Sequence, residues 1–541
     1  MGLYLPDAIR LHARERGTRA ALSCADRTLG YAELHSRTNR LARALLTAAR
    51  PGSRIGFLAR TRTEAGEILI AAAKAGLVTV PLNWRLSEAE LTALAQDAGL
   101  RVLLTEPEFR SAADAVHAAL PGLRLVIIDS PAEQQDRQEQ PDPPDSPDPS
   151  GPAQAADPAV PGYEAWLAAH PDDDPGRGGR ADADEVYLQI YTSGTTGVPK
   201  GVLLTHTNFH AERAELEESR WQPGSVALNA LPLFHIGGLG LLQMALSAGA
   251  HSLLLPDFTP EAAARTIERE GVTHTFLVPS VLHLLTELPG IERRDFSRLH
   301  LVSYGAAPIT PALLRRSLSV LGCRFQGKYG LTEAGGTVTR LAPEDHRPGG
   351  PRSHLLGSVG RPRPGVRVVI CDPGTGDPVP PGTVGEIRIA SAHNTPGYWN
   401  RPQETTELYD ARGLLCTGDG GYVDEDGYLF LTDRVKDMIV SGGENVYPTE
   451  VESALAEHPA VFEVAVVGVP DDLWGEAVTA VVVPRRDLPR PGEQELIDFV
   501  RQRIASYKKP RRVHFVGELP RNPAGKVLKR ELRARLRQSH Q

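Results

Sequence analysis

The run YTSGTTGVPKG, from Tyr191 to Gly201, concentrates groups that suit a phosphate. A strand-like stretch, VYLQIYT, feeds a loop that holds Thr192, Ser193, Gly194, Thr195, Thr196, Gly197 and Lys200. Glycines let backbone N–H groups approach an anion closely, hydroxyls donate further hydrogen bonds, and the lysine supplies positive charge. The Walker A spacing, GxxxxGK followed by Ser or Thr, is absent, so this is a phosphate loop of another type. A flexible Ser/Gly turn is the plain alternative. The density of hydroxyls and glycines ahead of a lysine argues against it.

Further motifs follow in order: LPLFHIGGLGLL (231–242), SYGAAP (303–308), KYGLTEAGG (328–336), LLCTGD (414–419), DRVKD (433–437), SGGENVYPTEVE (441–452) and NPAGKVLKREL (522–532). Together with the loop they resemble the motif set of the adenylate-forming superfamily, which takes in acyl- and aryl-CoA synthetases, nonribosomal adenylation domains and beetle luciferases. The likeness begins at YAELHSRTNRLARAL (31–45) and VPLNWRLSEAEL (80–91) and covers nearly the whole chain. Such an enzyme lets a carboxylate attack the α-phosphorus of ATP, which turns an inert acid into an acyl-adenylate with AMP as a good leaving group. Two anions must meet in that step, so the site has to neutralise charge and hold the partners in line.

The resemblance implies a role for each group. Tyr329 packs on the adenine, Thr332 touches phosphate and Glu333 binds Mg²⁺. Gly305, Ala306 and Ala307 leave room for the flat base, Asp419 accepts from both ribose hydroxyls, and Arg434 reaches the ribose or phosphate side. His235 gates the acid and packs against the carboxylate, while Gly237, Gly238 and Gly240 remove side-chain volume, so a roomy apolar pocket for a fatty or aryl acid is expected. Lys526 is the C-terminal catalytic lysine, which completes a catalytic set with His235, Thr332 and Glu333, and Lys436 is the hinge. For the second half-reaction, Gly442 and Gly443 line a pantetheine passage, Trp474 and Tyr507 sandwich the CoA adenine, and Lys509 and Arg511 contact the CoA phosphates. ATP, Mg²⁺ and CoA are the expected cofactors and co-substrates. Transfer to a carrier-protein thiol or an amine is the alternative ending. A non-catalytic binding protein of the same fold would have no need of Glu333, Asp419, Arg434 and Lys526 together.

These groups need positioning. RIGFLA (54–59), VTVPL (78–82), RVLLTE (101–106) and LRLVIID (123–129) read as buried strands, with TEAGEILIAAAKAG (63–76) and SEAELTALAQDAG (87–99) as helices that end in glycine. That alternation predicts α/β layers with mainly parallel strands. GVRVVICD, GEIRIAS and GYLFLTD, past about residue 357, predict an antiparallel, β-barrel-like part. The chain then alternates helix and strand to its end. The expectation is therefore an α/β fold: an N-terminal domain, 1–434, of layered α/β subdomains plus the β-barrel-like part, and a small hinged α+β lid, 435–541. Residues 131–161 carry nine prolines, seven acidic residues against one basic, and no Leu, Ile or Phe, which predicts a disordered insertion.

Composition narrows the class. The 541 residues hold 59 Lys+Arg against 67 Asp+Glu, a net charge of −8, which gives no general attraction to nucleic acid. No run approaches the roughly 20 apolar residues of a membrane helix, and the N-terminal MGLYLPDAIRLHARERG does not read as a secretory signal. Four scattered cysteines, with no CxxC pair, suit a reducing cytoplasm. The expected partners are a small carboxylic acid, ATP and CoA, with a homodimer and a carrier protein left open.

Overall fold

The computed structural model describes residues 4–128, 160–176, 184–192, 199–434, 439–441, 444–471, 474–521 and 527–538. Of the acidic insertion only 160 and 161 fall among them, so its predicted disorder lies outside the described residues. Contacts gather into two units, Met1–Phe276 with His393–Thr406, and Leu277–Ala392 with Glu407–Gln541.

In the first unit, local chemistry starts and stops the helices where the sequence places them. Ser87 caps the helix Glu88–Ala98 in a reciprocal box with Glu90, and Gly99 ends it at φ 65°. The helix Thr63–Ala75 ends likewise on Gly76 at φ 68°. These helices flank a six-stranded sheet built from β3 (Arg54–Leu58), β4 (Val78–Pro81), β5 (Val102–Thr105), β6 (Arg124–Ile127), β7 (Val186–Thr192) and β8 (Lys200–Thr205), ordered β6-β5-β3-β4-β7-β8. Pairing is parallel except at β7–β8, an antiparallel hairpin at the sheet edge. A second layer joins β1 (Ala20–Cys24), β2 (Arg27–Gly30), β9 (Val226–Asn229), β10 (His251–Leu254) and β11 (His274–Leu277). The core of this unit is apolar, drawn from Leu22, Leu41, Ile55, Phe57, Ile68 and Leu69 among others.

In the second unit, β12 (Leu301–Gly305) runs parallel to β13 (Arg324–Leu331), which turns back into β14 (Gly336–Leu341). The expected antiparallel part is present as β16 (Val366–Cys371), β17 (Gly385–Ser391), β18 (Leu415–Val423) and β19 (Leu429–Arg434), paired in chain order. Beyond it, a long hairpin of β22 (Val461–Asp471) and β23 (Gly475–Pro484), parallel to β24 (Arg512–Phe515), packs with the helices Pro448–Ala456 and Glu493–Arg501 around Val451, Val466, Val478 and Leu496. This is the expected α+β element at the C-terminal end.

Candidate active site

The phosphate loop hangs from the β7–β8 hairpin. Thr192 closes β7, Lys200 opens β8, and the two stand opposite each other in register. Ser193, Gly194, Thr195 and Thr196, between them, lie outside the described residues, as do Lys436, Gly442, Gly443 and Lys526, while Arg434 is described in its backbone only. A hairpin base holds the loop ends rigidly, whereas a Walker A loop runs from strand into helix.

His235 stands at the N-terminus of the helix Ile236–Ser247. Burial, aided by the Arg85 cation, pushes its imidazole down to about 4, so it is neutral at physiological pH. Its Nε2 is buried without a hydrogen-bond partner among the described residues. Phe234 lies 4.6 Å from it, ring to ring, and the Arg85 guanidinium sits 4.7 Å from the Trp84 ring centre. Buried Asn229 ties the segment down by donating to the Gly238 carbonyl at 2.8 Å. The glycines that follow divide in purpose, which corrects the expectation that all of them open a pocket. A Cβ on Gly238 would meet the Pro232 carbonyl oxygen at 2.4 Å, so this glycine serves a close backbone approach, while Gly240 faces open space.

The second unit assembles the predicted adenosine residues. Parallel pairing of β12 with β13 sets Gly305 opposite Lys328, one residue from Tyr329. Ala306 then turns the chain at φ 65°, a left-handed conformation that an alanine adopts only under constraint. Thr332, Glu333 and Ala334 form a 3₁₀ turn between β13 and β14. Gly330 makes that hairpin possible, because a Cβ there would fall 1.8 Å from the Gly336 oxygen. Buried Tyr329 donates its hydroxyl to Asp419 Oδ2 at 2.9 Å, which joins the predicted adenine and ribose residues directly. The β18–β19 hairpin in turn pairs Asp419 with Arg434 in register.

Glu333 has a neighbour that sequence reasoning passed over. Burial, with the Glu333 charge as the second cause, pushes the Tyr409 hydroxyl up to about 12. A single carboxylate at the head of this turn fits Mg²⁺, which takes one or two protein carboxylates and completes its octahedron with water and phosphate oxygens.

At the C-terminal end, Arg511 stacks its guanidinium 3.7 Å from the Trp474 ring centre, and its Nε is buried without a hydrogen-bond partner among the described residues. Lys509 has its pKa lowered by burial and then by the nearby Arg511 and Arg501 cations. Tyr507 is 41% exposed on the turn Ser506–Lys508, which the Lys508–Glu450 ion pair anchors at 2.7 Å. Arg511, expected at the CoA phosphates, thus lies on the Trp474 face, one of the two ring faces expected to take the adenine. Stacked aromatic and cationic groups suit a nucleotide.

Comparison with known proteins agrees with this chemistry. Residues 9–399 match the model of the AMP-binding enzyme family, and residues 450–526 match that of the AMP-binding enzyme C-terminal domain. The chain belongs to the adenylate-forming superfamily of AMP-binding enzymes. It is 40% identical over 531 residues to the fatty acid–[acyl-carrier-protein] ligase ScoC of Streptomyces coeruleorubidus, covering 97% of this chain and 95% of that protein. A feruloyl-CoA synthase of an Amycolatopsis species is 38% identical over 513 residues, 94% of each chain. The crystal structure of the anthranilate CoA ligase AuaEII in complex with anthranoyl-AMP superposes with a TM-score of 0.86 at 25% identity, over 100% of this chain and 99% of that one.

Proposed function

We propose that the chain is an AMP-forming acid–CoA ligase for a fatty or aryl carboxylic acid. The acid's carboxylate oxygen attacks the α-phosphorus of ATP, and pyrophosphate leaves. The CoA thiol then attacks the acyl carbon of the adenylate, and AMP leaves with the bond electrons. The observation that carries this reading is the Tyr329–Asp419 hydrogen bond, one residue along from the Gly305–Lys328 pairing, an arrangement that would suit adenosine. Tyr329 offers its ring to the base, Asp419 accepts from the ribose and Thr332 takes a phosphate, and the run from Thr192 to Lys200 carries the phosphate-binding motif of its own unit. Neutral His235 packs against the carboxylate without a charge that would compete for it. Mg²⁺ bound at Glu333 would neutralise the triphosphate during the first step.

Lys526 belongs to a lid, 435–541, that turns about Lys436 between the half-reactions, and Trp474, Tyr507, Lys509 and Arg511 on that lid receive CoA past Gly442 and Gly443. The four cysteines are all unpaired thiols, and among the described residues no helix is long and apolar enough to cross a membrane, which supports a cytoplasmic setting. A second reading, transfer to a carrier-protein thiol, is favoured by the likeness to ScoC. Pyrophosphate release across a panel of fatty and aryl acids, with CoA, with a phosphopantetheinylated carrier protein and with neither, separates the two. Acyl-CoA formation supports the first, acyl-carrier formation alone the second, and no release with any acid refutes both.

A further inference from the structure

The segment 395–401 covers the open edge of the phosphate-loop hairpin. Leu203 donates its backbone N–H to the Gly397 oxygen at 3.0 Å, Trp399 donates to the Gly201 oxygen at 2.8 Å, and Val202 bridges to Tyr398. β8 is an edge strand, so these bonds satisfy backbone groups that would otherwise face outward. Gly397, at φ 143°, packs against Thr405 where a Cβ would stand 2.4 Å from its methyl carbon, and Thr405 accepts from the Tyr398 N–H at 3.0 Å. The segment is therefore held tightly in place.

Two of its side chains reach the base of the loop. Tyr398 lays its ring 5.1 Å from the Lys200 ammonium. Trp399 crosses to Asp97, donating its indole N–H to the Asp97 carbonyl at 2.9 Å, with the Arg54 guanidinium 3.3 Å from its ring centre. Asp97 is a three-way hub. Its carboxylate accepts from the Tyr191 hydroxyl at 2.6 Å and from Arg401 at 2.7 Å, and its backbone oxygen takes the indole. Tyr191 immediately precedes Thr192, so the hub grips the strand that enters the loop while Tyr398 meets the lysine that leaves it.

We propose that Tyr398 and Asp97 are positioning residues that set the Lys200 end of the phosphate loop for the triphosphate. A lysine side chain has four flexible bonds and a strongly hydrated charge, and an aromatic face held rigidly beneath it restricts where that charge can stand. This rests on the adenylation reading. The test is steady-state kinetics of ATP–pyrophosphate exchange, together with thioester formation from supplied acyl-adenylate. Tyr398→Leu should raise KM for ATP about fivefold, the weight of one partly exposed cation–π contact, with KM for the acid unchanged. Tyr398→Phe, which keeps the ring, should restore the ATP KM, and Asp97→Asn should shift it in the same direction as Tyr398→Leu. Transfer from the adenylate, which needs no triphosphate, should proceed at the wild-type rate in all three. The inference is overturned if Phe behaves as Leu does, if the ATP and acid KM rise together, or if transfer falls in step. Wild-type protein that exchanges with no acid would instead refute the adenylation reading, and this inference with it.

Discussion

In the proposed adenosine site a single contact joins Tyr329 to Asp419. Their 2.9 Å hydrogen bond ends on a carboxylate, and bonds of that kind contribute about 1.5–3 kcal/mol. On the proposed reading, Tyr329→Phe keeps the ring for the base and removes only the hydroxyl that donates to Asp419. It should raise KM for ATP roughly tenfold and leave the acid KM unchanged, which exchange kinetics would read directly. The imidazoles give a second expectation. Burial is the first cause in holding His35, His235 and His346 down to about 4, below an ordinary value of 6.5. As pH falls below 6.5 the unfolded chain takes up these protons first, so the stability they contribute is complete above 6.5 and is lost toward 4. Urea midpoints measured from pH 7 to 4.5 should decline; a flat profile would mean that these rings are solvated.

At the scale of elements, the helix after His235 separates two uses of glycine. Gly238→Ala would drive a Cβ into the Pro232 carbonyl and should destabilise by about 1–3 kcal/mol. Gly240→Ala meets open space and should stabilise by up to about 1 kcal/mol through helix propensity. Equal urea midpoints for the two variants would contradict the packing assigned to Gly238. The expected helices and strands were legible because their signals are local, such as Ser87 with Glu90, Gly76, Gly99 and the apolar runs of β3 to β6. What stayed hidden was the face each helix buries. TEAGEILIAAAKAG reads as a helix that ends in glycine, and nothing in that reading shows that Glu64, Glu67 and Lys74 are all buried. Arg27, Arg37 and Arg62 pair with the two acids, and Thr38 and Asn39 each accept from Lys74 at 2.7 Å.

On the scale of the whole molecule, the two half-reactions ask for different groups at one adenylate. In the proposed mechanism Lys526 serves only the first. Lys526→Ala should cripple exchange and leave thioester formation from supplied acyl-adenylate largely intact. Loss of both halves together would remove the lysine from that role. In the proposed lid, the resemblance grouped Trp474, Tyr507, Lys509 and Arg511 around a CoA nucleotide. That Arg511, rather than Tyr507, lies on the Trp474 face was not visible in it.

The sequence by itself determined the chemistry and the order of the elements. Glycine spacing, hydroxyl-rich loops and a carboxylate after a tight turn are short-range patterns, and their physical meaning does not depend on distant partners. Tertiary structure alone decided which charges are buried together and what supports the loop. Arg27 and Glu164 lie 137 residues apart, and Arg401 and Asp97 lie 304 apart. No periodicity encodes such pairs, because they exist only once the sheets have set their strand order and brought the surrounding surfaces out of water.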